Sequence, residues 1–443
     1  MPFQSKIRAE ISVPVSLQID EQLGSFDVVW IVSSPPVSFE PCVKSIQAFF
    51  KHLRYPGFSY GSAFKINNSA QTLKPIGAMA MRVLSVSHDS LPDIRVEKTA
   101  FTARKNGHAT FFAGPRIRSF AMELQAFEKT YTLPFSRKAN LKIPPYWNWL
   151  RKSLQNAIEE CKPDVIHAHN IIAGRLASEF NIPFVYDDHE YWSVSMKAMK
   201  KTKIHHVLSL RYKQWLMERW EKRVLDKASA VITTADTVTE EFRRLNSRVF
   251  SVPNFPSSRE TKEMQIGFPE TSQLSSVYVG SDCTQPKPSP ERDSTGLVDL
   301  YIRNDVGNLT VIGDNRLQTQ PHVNSVGFLP HQKMMNELTR HHIGLLPWKK
   351  HWLHQYKHPN KPYQYAHAGL LTFSASDMVN VVASLKEYVK TFEDYESLLK
   401  LLAEHKERVD ELNQLKPKIR KYALDNLTWE KNEAKILEAY ARS

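Results

Sequence analysis

At 443 residues the chain exceeds what a single hydrophobic core supports, so two or three domains are expected. A hydrophobic content of 42% and a charged content of 24% are those of a folded soluble chain and exclude a disordered one. The formal charge of +13 favours acidic partners, among them phosphates, anionic lipid and nucleic acid, without choosing between them.

Cys42, Cys161 and Cys283 are odd in number and far apart, which argues against a disulfide framework or a zinc site. No apolar run reaches the roughly eighteen residues of a membrane helix, and the first residues lack the basic-then-apolar pattern of an export signal. A cytoplasmic location is the expectation.

Residues 1–80 fit no clear period. Phe26 to Val32 has the composition of a buried strand, but Pro35-Pro36 and the polar 51–75 stretch do not continue it. An extra small element and a poorly ordered leader ahead of a start at Met79 or Met81 are equally open.

Met81 to Ser87 reads as a short buried strand ending in a polar loop, Val96 to Lys105 as a helix, and Ala109 to Ala113 as the next strand. This β-loop-α-turn-β opening suits a nucleotide fold. It places Asp93 and Arg95 beyond a strand's carboxyl end, where open α/β sheets bind ligands. Pro163 to His169 and Phe184 to Tyr186 are further strands. With right-handed crossovers, His169-Asn170 and Asp187-Asp188-His189-Glu190 emerge on the same sheet edge.

Residues 197–223 carry nine Lys/Arg against two Glu, a net of +7. Ile204, Leu208, Tyr212, Leu216, Trp220 and Val224 recur every four residues and give the helix a drifting apolar stripe. The plainest reading is a surface helix packed on its own domain. Attachment to anionic lipid is the second reading, and nucleic acid the least favoured.

Strands at Lys227–Thr234 and Val249–Pro256 precede a Pro-, Ser- and charge-rich stretch, so a domain boundary is placed near 256. A second set of strands follows at 276–279, 309–312, 323–328 and 343–347, with Gly280, Gly313 and Gly327 at strand ends. His351, His354 and His358 have spacings that would share one face of a helix, a conceivable metal site, although no carboxylate ligand lies nearby in the sequence. Pro359 to Gly369 describes a short helix between a Pro stop and a Gly stop, its amino end offered to an anion. From Leu385 the chain reads as mostly helical, with Phe392, Tyr395, Leu398 and Leu402 on an apolar stripe and a last helix from Trp429 to Tyr440.

Several of these segments resemble family-4 retaining glycosyltransferases. Met81-Arg82-Val83-Leu84 with Asp93-Ile94-Arg95-Val96, the D-V-I-H-A-H of 164–169, the V-Y-D-x-H-E of 185–190 and the P-N-K-x-x-x-Y of 359–365 carry the likeness, which covers about residues 81–443. It implies a GT-B fold, two Rossmann-like α/β domains facing across a cleft: an acceptor domain over 81–255, a nucleotide-sugar domain over 256–425 and a carboxyl-terminal helix over 426–443 packing back on the first domain.

The resemblance further implies a transferase that moves a sugar with retention from a nucleotide-sugar to a glycan, lipid-linked or protein acceptor, with no cofactor and no metal. Contact with an anionic membrane would be peripheral, through 197–223. His169, His189 and Glu190 become catalytic candidates, and Asp93 and Arg95 acceptor-side ones. Gly280, Lys287, His354, Asn360, Lys361, Gln364 and Tyr365 become donor-binding ones. Two departures stand out: the acid pair usual in the family falls on Tyr356 and Gln364, and the Arg usual after the first strand of the second domain is absent. A weakened transferase, a non-catalytic nucleotide-sugar-binding or scaffold relative, and a sugar-nucleotide epimerase therefore stay open.

Overall fold

The computed structural model describes residues 80–443 apart from 118–125, 137, 139–141, 200–203, 270–272, 282 and 284–289, together with the backbone of two short strands nearer the amino terminus. The chain divides into two compact units, Met1–Leu73 and Lys74–Ser443. In the first, β1 (Val15–Gln18) pairs antiparallel with β2 (Val29–Val32). The expectations for the rest of residues 1–79 lie outside the described residues.

The second unit contains two parallel sheets. One has seven strands in the order β5-β4-β3-β6-β7-β8-β9: β3 (Arg82–Ser87), β4 (Ala109–Gly114), β5 (Lys129–Thr132), β6 (Val165–His169), β7 (Phe184–Asp188), β8 (Ala230–Thr233) and β9 (Val249–Ser251). The other has six in the order β12-β11-β10-β13-β14-β15: β10 (Ser275–Val279), β11 (Asn308–Ile312), β12 (Val323–Gly327), β13 (Ile343–Leu346), β14 (Leu371–Ala375) and β15 (Val389–Phe392). Central strands such as β6 and β14 are buried along their whole length, as expected where helices cover both faces.

In each sheet the strand order reverses once, between β3 and β6 and between β10 and β13. Such a reversal opens a crevice at the strands' carboxyl ends. The two-sheet GT-B architecture thus agrees with the sequence reading, and the strands expected at 276–279, 309–312, 323–328 and 343–347 are all present.

Seven helices matter below: α1 (Ile94–Lys105), α2 (Pro144–Cys161), α3 (Asn170–Ala177), α4 (Ile204–Lys227), α5 (Lys361–His367), α6 (Val409–Asn426) and α7 (Glu433–Ala441). The apolar stripe expected along α4 is buried only in its second half. Leu216, Trp220 and Val224 are core residues, whereas Leu208 and Tyr212 are 63% and 48% exposed. The cause is the four-residue repeat, which falls behind the helical period and carries the stripe off the packed face.

Phe392, expected on a helical stripe, instead ends the edge strand β15, where it is buried. Trp429 begins a turn of 3₁₀ helix, Trp429–Asn432, before α7. That segment returns to the first sheet: Trp429 Nε1 donates to Thr102 Oγ1 at 3.0 Å, and Tyr440 Oη lies 2.7 Å from His167 Nδ1.

Candidate functional site

The register of the first sheet sets Ser87 beside His169 and His169 beside Asp187, so three strands end together at the reversal. Asp187 is wholly buried. Arg95, also buried, donates to it through Nε at 3.1 and 3.0 Å and through Nη2 at 2.8 Å, and its Nη1 reaches the Val252 carbonyl and Asn254 Oδ1. Burial alone would raise the Asp187 pKa, but the Arg95 guanidinium overrides it and holds the carboxyl well below its usual range. Asp93 caps α1, accepting from the backbone N–H groups of Arg95 and Val96. Both acceptor-side candidates therefore hold the first helix and the sheet edge together.

His169 is fully buried and stacked on His167, with ring centroids 4.2 Å apart. Its Nδ1 lies 3.3 Å from His189 Nε2 and 3.5 Å from Asp187 Oδ2, and its Nε2 has no protein partner. Burial, reinforced by His167, pushes its pKa down to about 3. Burial also opposes charge on His189, but the Asp187 carboxylate, 3.6 Å away, outweighs it and raises the pKa. One imidazole is kept neutral while its neighbour is inclined to hold a proton.

His167, His169 and Asp187 form the single three-member group of metal-capable side chains found among the described residues. The Asp187 oxygens already receive Arg95, so the donor set is that of an ion-pair network. His351, His354 and His358 do not share a helix face: only five residues, Trp352–Tyr356, form a 3₁₀ turn, with His351 before it and His358 beyond it.

The second sheet's reversal is lined differently. Gly280 follows β10 and donates its backbone N–H to the Ile312 carbonyl at 2.8 Å. Lys287 lies outside the described residues. At the end of β13, Trp348 donates to Tyr278 Oη at 3.1 Å. Lys361, the first residue of α5, sets its ammonium 4.7 Å from the Trp348 ring centroid and 5.3 Å from that of Tyr278, close enough for cation–π attraction.

Asn360 is exposed and its side chain does not cap the helix. Gln364 is buried on the same helix. Tyr365 is wholly buried and accepts from the Val279 backbone N–H at 3.1 Å. A Cβ on Gly344 would lie 2.3 Å from the Tyr365 ring, so that glycine is what lets α5 approach the sheet.

His354 is buried, with Nδ1 2.8 Å from Asp377 Oδ1 and Nε2 2.7 Å from the Glu291 carbonyl. It ties the 3₁₀ turn to the short helical turn Pro290–Arg292. Tyr356 stacks edge-on against Tyr191 of the first domain, centroids 5.2 Å apart.

Between the two reversals the domains meet. Glu190, just beyond β7, receives Lys357 Nζ at 3.1 Å and Arg292 Nη2 at 3.3 Å, both from the second domain. Burial works against ionisation of Glu190, but Lys357 and then Arg292 override it and lower its pKa. Sequence reasoning missed Asp187, Lys357, Arg292 and Trp348 as site residues. Asp187 was visible in the V-Y-D-D-H-E run; Lys357 and Arg292 lie in loops whose approach to Glu190 has no local signal.

A family model for Glycosyltransferase Family 4 matches residues 95–255. Solved structures with the same fold include sucrose-phosphate synthase from Thermosynechococcus elongatus, 12% identical, TM-score 0.61, covering 82% of this chain and 98% of that one. HepE from Anabaena, solved with UDP and glucose, is 14% identical with TM-score 0.57, covering 82% and 100%. A glycosyltransferase from Rickettsia africae is 12% identical with TM-score 0.56, covering 82% and 98%. No curated protein matches the chain. The fold and this domain define a GT-B glycosyltransferase. Residues 95–255 carry a family-4 glycosyltransferase domain.

Proposed function

We propose that the enzyme transfers a sugar from a nucleotide-sugar, bound at the β10/β13 reversal, to a hydroxyl acceptor bound at the β3/β6 reversal, with retention and without a metal. The observation that carries this reading is the placement of Lys361 against Trp348 and Tyr278, on the domain whose loops reach Glu190 at the end of β7. When the glycosidic bond breaks, negative charge grows on the departing diphosphate. A positioned ammonium stabilises that charge in a site that excludes water. The HepE complex with UDP and glucose makes UDP the first nucleotide to test.

On the acceptor side, His169 Nε2, neutral and without a protein partner, suits a hydrogen bond to a sugar hydroxyl. His189 and Glu190 are the groups able to orient the acceptor hydroxyl and receive its proton as the new bond to the sugar forms. Gln364 accepts from the donor through its amide oxygen, more weakly than a carboxylate would. Turnover of UDP-sugars with candidate acceptors, with Lys361→Ala as the comparison, tests this reading. Unchanged turnover in that variant would remove Lys361 from the site.

The acceptor we favour lies at an anionic membrane surface. No helix among the described residues is long and apolar enough to cross a membrane, so the contact would be peripheral. Leu208, Tyr212 and Trp215 are exposed on α4. Beside them a cavity of about 500 Å³ is lined by Lys142, Arg175, Arg219 and Arg223 together with Trp215. Exposed aromatics among cations suit an interface of headgroups and acyl chains. Flotation with vesicles containing anionic lipid should carry the protein upward and vesicles of neutral lipid should not; equal recovery with both would overturn the membrane assignment.

A further inference from the structure

Apart from Lys98–Glu260, the ion pairs that join the domains among the described residues involve one carboxylate and two cations. Lys357 Nζ lies 3.1 Å from Glu190 Oε2 and 3.1 Å from Ser195 Oγ, and Arg292 Nη2 lies 3.3 Å from Glu190 Oε1. Asp293, next to Arg292, is taken by Lys349 at 3.4 Å. Asp377 is taken by His354 and by the His351 backbone N–H. Glu190 is thus the carboxylate that Lys357 and Arg292 share among the described residues.

Arg292 also sits 5.9 Å from the Trp348 ring centroid, the same ring that Lys361 approaches at 4.7 Å. Three cations of the donor domain therefore gather around Trp348 and Glu190, at the β10/β13 reversal. The Glu190 and Arg292 side chains are each 37% exposed, so an anion arriving through the cleft can reach both.

We propose that Glu190 is a stand-in for the donor's diphosphate: it occupies Lys357 and Arg292 when the cleft is empty, and the diphosphate displaces it onto the acceptor side. The proposal rests on the donor reading given above and adds to it the identity of the phosphate ligands and their regulation. A partly exposed carboxylate pair contributes little to stability. A diphosphate brings more charge and more acceptor oxygens, and Arg accepts such groups through paired N–H donors. His354 positions Arg292 by fixing the Glu291 carbonyl at 2.7 Å. This arrangement supplies cations where the loop after β10 opens with Ser281 rather than a basic residue. The exchange would also couple the two sites, since Glu190 becomes free to meet an acceptor hydroxyl only when a donor has arrived.

Calorimetric titration of the full chain with UDP, GDP, ADP and inorganic pyrophosphate tests this in wild type, Glu190→Gln, Lys357→Met and the double variant. Removing the competing carboxylate should tighten nucleoside diphosphate binding by about fivefold or more. Removing Lys357 should weaken it by about tenfold or more, and the double variant, with Arg292 released from Glu190, should fall between the two single variants. The opposite signs separate displacement from a plain strut: loss of a strut would move both single variants the same way. Binding to wild type with Glu190→Gln unchanged or weaker would overturn the exchange and leave the donor reading standing. Binding to none of the four proteins would overturn both.

Discussion

The two sheets reverse their strand order in the same way, yet their crevices are furnished differently. At the end of β6 and β7 the charged groups pair with one another: Arg95, Asp187, His167, His169 and His189 form a buried network tied to the sheet and, through Tyr440, to α7. At the end of β10 and β13 the polar groups are cations set against aromatic rings, with Lys361 and Arg292 flanking Trp348. A network that neutralises its own charges holds geometry, and cations set against aromatic faces suit an anion. On the proposed reading the first crevice would position an acceptor and the second would stabilise a leaving group.

Breaking the first network should have the largest effect. Arg95→Met strands the Asp187 carboxylate in the core, a change that costs about 3–5 kcal/mol, and Arg95→Lys should recover little because the paired contact is lost. Denaturant unfolding measures this, and a shift below about 1 kcal/mol would contradict the role assigned to Arg95.

Acidification acts on buried imidazoles in both domains. Burial holds His169 and His358 near a pKa of about 3 and His342 near about 4. The unfolded chain therefore binds more protons at these positions below about 6.5, and stability falls as pH drops from there toward 4. His189, raised by Asp187 after burial is overcome, works in the opposite direction: its contribution is present below about 6.5 and is lost as pH rises through its folded value. Asp188 and Glu221, raised by burial to about 6 and about 8, side with His189, but burial lowers His167, His341 and His367 as well, so the lowered imidazoles prevail and the unfolding midpoint should decline across that window. His358→Phe, which keeps the stack on Tyr363, should flatten the decline, and an unaltered slope would remove His358 from the account.

Much of this contrast was legible in the sequence, and the remainder was not. The strand-end motifs gave both sheets and put His169, His189 and Glu190 on one edge, because a parallel strand's polar terminus is a local feature. Edge strand β5, with its exposed Lys129-Thr130-Tyr131-Thr132, has no apolar signal to reveal it. The roles of Arg95 and Tyr365 were hidden as well: each is set by a partner distant in sequence, Asp187 in one case and the Val279 backbone in the other. Lys357 meets Glu190 across 167 residues, a pairing that no periodicity encodes.

Smaller changes sharpen the donor side. Lys361→Ala should weaken nucleoside diphosphate binding by about 1.5–3 kcal/mol while leaving the melting temperature nearly unchanged. Gln364→Glu should strengthen donor binding a few-fold, since an ionised acceptor is roughly twice as strong as a neutral one; a loss of affinity would show that Gln364 is not an acceptor for the donor. The smallest stability effect belongs to the exposed face of α4. Trp215→Ala should stay within about 0.5 kcal/mol of wild type while reducing recovery with anionic vesicles, and unchanged recovery would argue against the helix as a membrane contact.

The central claim is that the β10/β13 crevice holds a nucleoside diphosphate through protein cations. Its most direct test is calorimetric titration of the full chain with UDP, GDP and ADP and their sugar conjugates, with and without EDTA. Micromolar binding of one nucleotide, insensitive to EDTA and weakened in Lys361→Ala, is the expected result. Binding that disappears with EDTA, or that ignores the loss of Lys361, would contradict it.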